Sequence, residues 1–154
     1  MIQNTFTILC GLPASGKSTW VQKNKKSNNV IICLDEIRKH IFGHQFHLDS
    51  EPWILAIAKT MAKLLLVQNK NIIIDSTNLL PFMRNEWKAL ATRFKAKINL
   101  VYFNIPYETC VERNRNRSKE KRVPLSVMRR MRGLLVEPDF DIEKYDKVII
   151  IKNK

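Results

Sequence analysis

The sequence predicts an α/β fold, a parallel β-sheet with helices on both faces. Three observations carry it. Short apolar runs recur along the 154 residues and are continuous rather than alternating, as in strands covered on both sides. Stretches of helical length and spacing separate them. Between the first run and the first such stretch, Gly11-Leu12-Pro13-Ala14-Ser15-Gly16-Lys17-Ser18-Thr19 fits the phosphate-loop pattern G-x-x-x-x-G-K-[ST] at every position. Strand, loop and helix in that order give a P-loop NTPase fold, with five parallel strands.

Thr5 to Cys10 is the first strand, and a helix follows from Thr19 to about Asn24. Val30 to Leu34 is the second strand. Asp35 closes it and can cap a short helix from Glu36 to Phe42, which Gly43 ends. A polar connection covers 44–51. A long helix from about Pro52 to Gln68 places Ile54, Ile57, Ala58, Met61 and Leu65 on one face. Ile72 to Ile74 is the third strand, ending in Asp75-Ser76-Thr77-Asn78. Pro81 opens a helix to about Lys97 with Trp87, Leu90, Ala91 and Phe94 inward. Ile98 to Ile105 is the fourth strand. Pro106 and Glu108 begin a helix that runs into a basic segment. Pro124 restarts a helix to about Leu135, and Val148 to Ile151 is the last strand.

The length fits one domain over 1–154. No stretch approaches the roughly 20 apolar residues of a membrane span. The chain enters its first strand without a basic leader, and its three cysteines lack metal-ligand spacing. Both point to a cytoplasmic protein with reduced thiols. The formal charge is +13, from 27 basic and 14 acidic residues, which favours a polyanionic partner. Val111 to Arg132 holds nine basic and two acidic residues, whereas Glu137 to Asp146 holds five acids and one base.

In such a sheet, ligands sit outside the carboxyl ends of the strands. The loop at Gly11, then Asp35 and Asp75, falls at that edge. Lys17 is placed to reach the β- and γ-phosphates of a nucleotide, and the Ser18 hydroxyl to ligate Mg²⁺. Asp75 ends an isoleucine-rich strand, as a Walker-B carboxylate does. Asp35 is the candidate general base. Arg38, one turn on, is a candidate contact for an acceptor phosphate. The basic segment, about 113–123, would overhang this edge as a lid. Arg113 and Arg117 in it would share a helical face and could stabilise a transferring phosphoryl group. His40, His44 and His47 recur at helical spacing, but Gly43 interrupts them, which weighs against a metal site. Trp20, Trp53 and Trp87 read as core or surface packing rather than as base-stacking platforms.

These motifs resemble the small P-loop kinases related to the kinase domain of polynucleotide 5′-hydroxyl kinases. The resemblance runs through Gly11 to Thr19, Leu34-Asp35-Glu36-Ile37-Arg38, Ile74 to Leu79 with Arg84, Glu112-Arg113-Asn114 with Arg117, and Glu137 through Asp146. It implies that Gly11, Pro13, Ala14, Ser15, Gly16, Lys17, Ser18 and Thr19 hold ATP, with Mg²⁺ at Ser18 and Asp75. It implies Asp35 as base and Arg38 on the acceptor phosphate. Asp75, Thr77, Asn78 and Arg84 would line the acceptor side. Arg113 and Arg117 would be lid arginines, and the segment after Glu137 would close over the adenine. The lid is more basic and slightly longer than the family pattern, which leaves the register of Arg115 against Arg117 open. Gly11 to Ala14 and Pro106 to Asn114 also resemble seryl-tRNA kinases.

The expected reaction is ATP- and Mg²⁺-dependent transfer to a hydroxyl, foremost the 5′-OH of an RNA or DNA end. Two other readings stay open at this point. One is a kinase for a small molecule, nucleoside or aminoacyl-tRNA. The other is a nucleotide-dependent RNA-binding module with little turnover. The oligomeric state is open.

Overall fold

The computed structural model describes residues 3–43 and 48–153. Five strands, β1 (Thr5–Cys10), β2 (Asn29–Cys33), β3 (Asn71–Asp75), β4 (Lys97–Asn104) and β5 (Lys147–Lys152), form one sheet in the order β2-β3-β1-β4-β5. Every pairing is parallel. The helices are α1 (Lys17–Asn24), α2 (Leu34–Phe42), α3 (Glu51–Val67), α4 (Pro81–Arg93), α5 (Tyr107–Arg115) and α6 (Leu125–Leu134). Short 3₁₀ turns lie at Leu48–Ser50 and Lys119–Lys121.

The apolar runs give the sheet two buried faces. On β1, Phe6, Ile8 and Cys10 pack with α3 and α4 through Ala58, Ala62, Leu66, Trp87 and Leu90. Leu9 faces the other way, into a cluster with Val21 of α1, Cys110 of α5 and Met128 of α6. Isoleucine dominates β3, and Ile72 and Ile74 sit opposite Phe6 and Ile8 in the ladder. These residues bury branched side chains against a pleated surface, where their stiff rotamers cost least.

Three boundaries differ from the expected ones by two residues or more, and one face differs. α2 starts at Leu34, so Asp35 lies inside its first turn and does not cap it; Cys33 is the cap residue, and no side chain bonds there. α1 starts at Lys17, directly on the phosphate loop. α4 stops at Arg93 because Lys95 turns left-handed (φ 54°) and the Ala96 N–H returns to the Ala91 carbonyl, a Schellman-type ending. On α3 the buried stripe is Ile54, Ala58, Ala62 and Leu66, while Met61 is exposed. Alanines at the contact let the helix approach the sheet closely, and the bulkier neighbours rotate outward.

No described helix is long and apolar enough to cross a membrane.

Candidate active site

Strands β1 and β4 are neighbours whose onward connections leave toward opposite edges of the sheet: β1 leads to β2, β4 to β5. This switch point opens a crevice at their carboxyl ends. Gly11 stands there. A Cβ on Gly11 would lie 2.8 Å from the Phe103 Cβ and 3.0 Å from the Ser15 Oγ, so the strands can be this close only with glycine. Its N–H donates to the Thr77 carbonyl at 3.0 Å, which ties the loop to the end of β3.

The loop then folds into a cradle. Ala14 (φ 61°) and Gly16 (φ 104°) take left-handed backbone, the conformation that lets a loop turn N–H groups toward one concavity, although the Ser15 N–H donates within the loop to the Leu12 carbonyl at 3.2 Å. No side chain caps α1, and its first turn holds no acid, so the helix end adds partial positive charge there. The Lys17 Nζ donates to the Gly11 and Leu12 carbonyls at 2.9 and 2.7 Å. Burial lowers its pKa to about 8, against the pull of Asp75. The buried Ser15 Oγ has no hydrogen-bond partner. A cradle of turned N–H groups, a charge-starved lysine and an orphan hydroxyl fit an anionic, oxygen-rich group such as a phosphate.

Asp75 ends β3 beside this cradle. Burial raises its pKa, while Lys17 and a hydrogen bond from Ser18 favour the carboxylate. Ser18 and Asp75 thus bring two oxygen donors together, the set that Mg²⁺ takes when phosphates supply further ligands. Among the described residues there is no cluster of three His, Cys, Asp or Glu suited to a metal. His44 and His47 lie outside the described residues.

Asp35 points outward from the first turn of α2, its side chain 89% exposed. Its charge still acts on both Lys17 and Asp75. Arg38 donates to it, and grips Glu51 of α3 with Nε and Nη2 at 2.7 and 2.9 Å. Burial opposes the Arg38 charge, but Glu51 and then Asp35 outweigh it and raise the pKa. The fork therefore fixes α2 against α3 and sets the carboxylate of Asp35.

Over the cradle, Arg113 donates to the Ser15 carbonyl at 3.4 Å and to Asn153 at 2.9 Å. α5 ends at Arg115, so Arg117 lies in the turn beyond it rather than on a shared helical face. Arg117 is half-buried and its charge acts on Lys17, whereas Arg115 is exposed. Asn114, buried beneath them, donates to the Val123 carbonyl and accepts from its N–H. That two-bond clasp closes the segment between α5 and α6 at its base.

Two expected acceptor-side residues, Arg84 and Asn78, turn inward. Arg84 is fully buried and pairs with Glu143 at 2.7 and 2.5 Å, with further bonds to the Asn78 and Leu79 carbonyls. Asn78 is 3% exposed, takes φ 43°, and donates to the Leu9 carbonyl. Thr77 is half-buried and serves Gly11 through its carbonyl. Arg84 and Asn78 are corrected from lining residues to supports of the cradle: neither has surface to offer a ligand. Glu51, Asn114 and Glu143 were not anticipated. Only an acid thirteen residues from Arg38 hinted at the first.

The family model for an AAA domain, AAA_33, matches residues 6–138, which spans the loop, both aspartates and the basic segment. The chain belongs to the AAA_33 family. Solved structures share the fold of this AAA_33 chain. A chain of the Pnkp1/Rnl/Hen1 RNA repair complex superposes with a TM-score of 0.76 at 26% identity, covering 88% of this chain. The match spans 45% of that chain's length, so this protein corresponds to about half of it. Chaetomium thermophilum Kti12 in complex with ADP-AlF3 gives 0.72 at 17% identity, covering 96% of this chain and 88% of Kti12. The Mycobacterium tuberculosis APS kinase CysC in complex with AMPPNP and APS gives 0.65 at 16%, covering 97% and 90%. The AAA_33 chain therefore has the P-loop kinase-like fold.

Proposed function

We propose that this protein is an ATP- and Mg²⁺-dependent kinase that phosphorylates the 5′-hydroxyl of a nucleic-acid strand. The observation that carries the reading is the placement of three charges at one strand edge. Lys17 and Asp75 are sunk in the cradle, and Asp35 stands open to solvent within their field. The first two suit a bound nucleotide, the third an incoming alcohol.

In this reading the cradle N–H groups and Lys17 hold the β- and γ-phosphates. Ser18 and Asp75 would hold Mg²⁺, which neutralises phosphate charge when bound. Asp35 accepts the proton of the acceptor hydroxyl as that oxygen bonds to the γ-phosphorus. The bond from phosphorus to the β,γ-bridging oxygen breaks, and ADP leaves. Arg38 takes the phosphate next to the reacting nucleotide, exchanging its Asp35 contact for it and freeing the carboxylate to face the hydroxyl. Arg113 and Arg117 offset the charge gathered on the transferring group. The nucleic-acid acceptor is supported by the +13 charge, by Arg38, and by the likeness to a chain of an RNA repair complex.

The test is transfer from γ-labelled ATP to a 5′-hydroxyl oligonucleotide. Asp35→Ala is expected to lower turnover by about 10²–10⁴-fold, the usual share of a general base, with ATP affinity nearly unchanged. Transfer to small alcohols but not to strands would remove the nucleic-acid acceptor and keep the kinase. Collapse of ATP affinity in Asp35→Ala would remove the base assignment.

A further inference from the structure

The amino ends of the strands lie about 20 Å from the crevice, at the far edge of the sheet. Four of them start level: Asn29 pairs with Asn71, Phe6 with Ile72 and Thr5 with Lys97. The loops that open them are basic. Lys25 and Lys26 precede β2, Lys70 precedes β3, and Lys95 and Lys97 lead into β4. Residues 3–5, 22–29, 68–71 and 94–97 include no acid. β5 starts two residues higher, level with Asn99, and its Lys147 is offset by Asp146. Lys70 is half-buried and the other four lysines are exposed. Among the described residues none of the five pairs with a carboxylate.

Two ordinary reasons for lysines fall short here. A cation in the last turn of a helix complements its dipole, but the effect fades beyond that turn, and Lys26, Lys70 and Lys97 lie outside it. Lysine also guards exposed edge strands, yet β3 and β4 are interior. The row is moreover fastened from loop to loop. The Asn71 N–H donates to the Asn28 carbonyl at 3.2 Å, and the Thr5 N–H to the Asn71 Oδ1 at 2.9 Å. The Lys97 N–H donates to the Asn4 carbonyl at 2.7 Å, and the Gln3 side chain to the Lys95 carbonyl at 2.5 Å. Its cations are thus held in a fixed order before any partner arrives.

The chemistry of the row selects an occupant. Its loops expose no aromatic ring, since Phe94 packs against the core. That removes base stacking, on which single-strand binding relies, and the aromatic anchors of a membrane-surface segment. The exposed amides of Asn28 and Asn69 stand among the lysines, and such groups suit phosphate and sugar oxygens. Three strand spacings make the row about 14 Å long, about four phosphates along one strand of a duplex. We infer that this edge is a second nucleic-acid surface, which docks the phosphate backbone of a duplex region without reading its sequence. It goes beyond the kinase reading and does not rest on it, because the surface needs neither ATP nor an acceptor hydroxyl. Standing at opposite ends of the strands, the two sites do not compete.

The test titrates the protein, without ATP, with a blunt duplex phosphorylated at both 5′ ends, which offers the crevice no acceptor hydroxyl. Binding is followed over a range of salt. Replacing Lys95 and Lys97 together by glutamine should make the logarithmic salt slope shallower by about 1.8, if each neutralises one phosphate of the duplex. Replacing Lys25 and Lys26 should act alike. Lys39→Gln with Lys63→Gln, exposed on α2 and α3, removes the same charge elsewhere and should leave the slope unchanged. Transfer to a 5′-hydroxyl trinucleotide, too short to reach the row, should be unaltered in both row variants. No duplex binding by the wild-type protein overturns the surface, as does an unchanged slope in both row variants. An equal loss in the control pair overturns it too, by reducing the effect to net charge. Vesicles of phosphatidylserine and phosphatidylcholine form the last arm. Vesicle binding lost in the row variants, with duplex binding intact, assigns the edge to a membrane instead. Each of these failures leaves the kinase reading standing wherever trinucleotide transfer occurs, and absence of transfer leaves the surface standing wherever the slopes change as expected.

Discussion

Lys17 shows how one residue's burial sets a measurable property. Its ammonium group is enclosed by its own loop, and desolvation brings its pKa from 10.5 to about 8. The unfolded chain therefore binds the proton more tightly than the folded one. Stability must rise with pH between about 8 and 10.5, and the burden of the buried charge, about 3 kcal/mol, is fully present below that window. Nucleotide affinity should move the opposite way. A triphosphate needs the charged lysine, so binding weakens as pH rises through about 8. Urea unfolding and fluorescent-nucleotide titration on either side of the window check both signs. Lys17→Met should abolish both dependences. The phosphate loop was legible because its chemistry sits in consecutive residues. The pKa was not, since it depends on burial and on charges such as Asp75 and Asp35 that meet Lys17 only in the folded chain.

The elements show a second kind of limit. Strand and helix order could be read directly, because each apolar run had the length and continuity of its element. The buried face of α3 could not. Its residues are apolar nearly all round, so several stripes were open, and the choice fell to the alanines that permit close approach. Arg84 was misread for a related reason. An arginine in a kinase motif suggests a phosphate, yet its partner, Glu143, lies 59 residues away. The pair staples α4 to the loop before β5, and the Arg84 Nη1 also holds the turn after β3. Both side chains are buried, so Arg84→Ala leaves an uncompensated carboxylate inside the protein. We expect a loss of about 3–5 kcal/mol in urea unfolding. The acceptor KM of the protein that remains folded should stay unchanged. A variant of full stability with a raised acceptor KM would return Arg84 to the ligand.

At the scale of the molecule, the sheet order fixes the crevice, and under the proposed function the charge pattern sets the side from which a strand would arrive. Some cations of the segment from Arg113 to Arg132 have local duties. Arg113 contacts the phosphate loop, and Arg132 lies over the Tyr107 ring 4.7 Å from its centroid. Arg129 and Arg130 are different. Both are exposed on α6 while Met128 beside them is buried in the core, so they face solvent away from the packed side. Such residues act on a strand through its phosphates and release counterions when it binds. Strand affinity should fall linearly with salt on logarithmic axes. Replacing both arginines by alanine should make that slope shallower by about 1.4 if each neutralises one phosphate of a single strand. Turnover at saturating strand should not change, since neither residue belongs to the cradle. An unaltered slope, measured by strand titration over a range of salt, would mean that these two arginines form only a solvated face and that the strand leaves the site by another side.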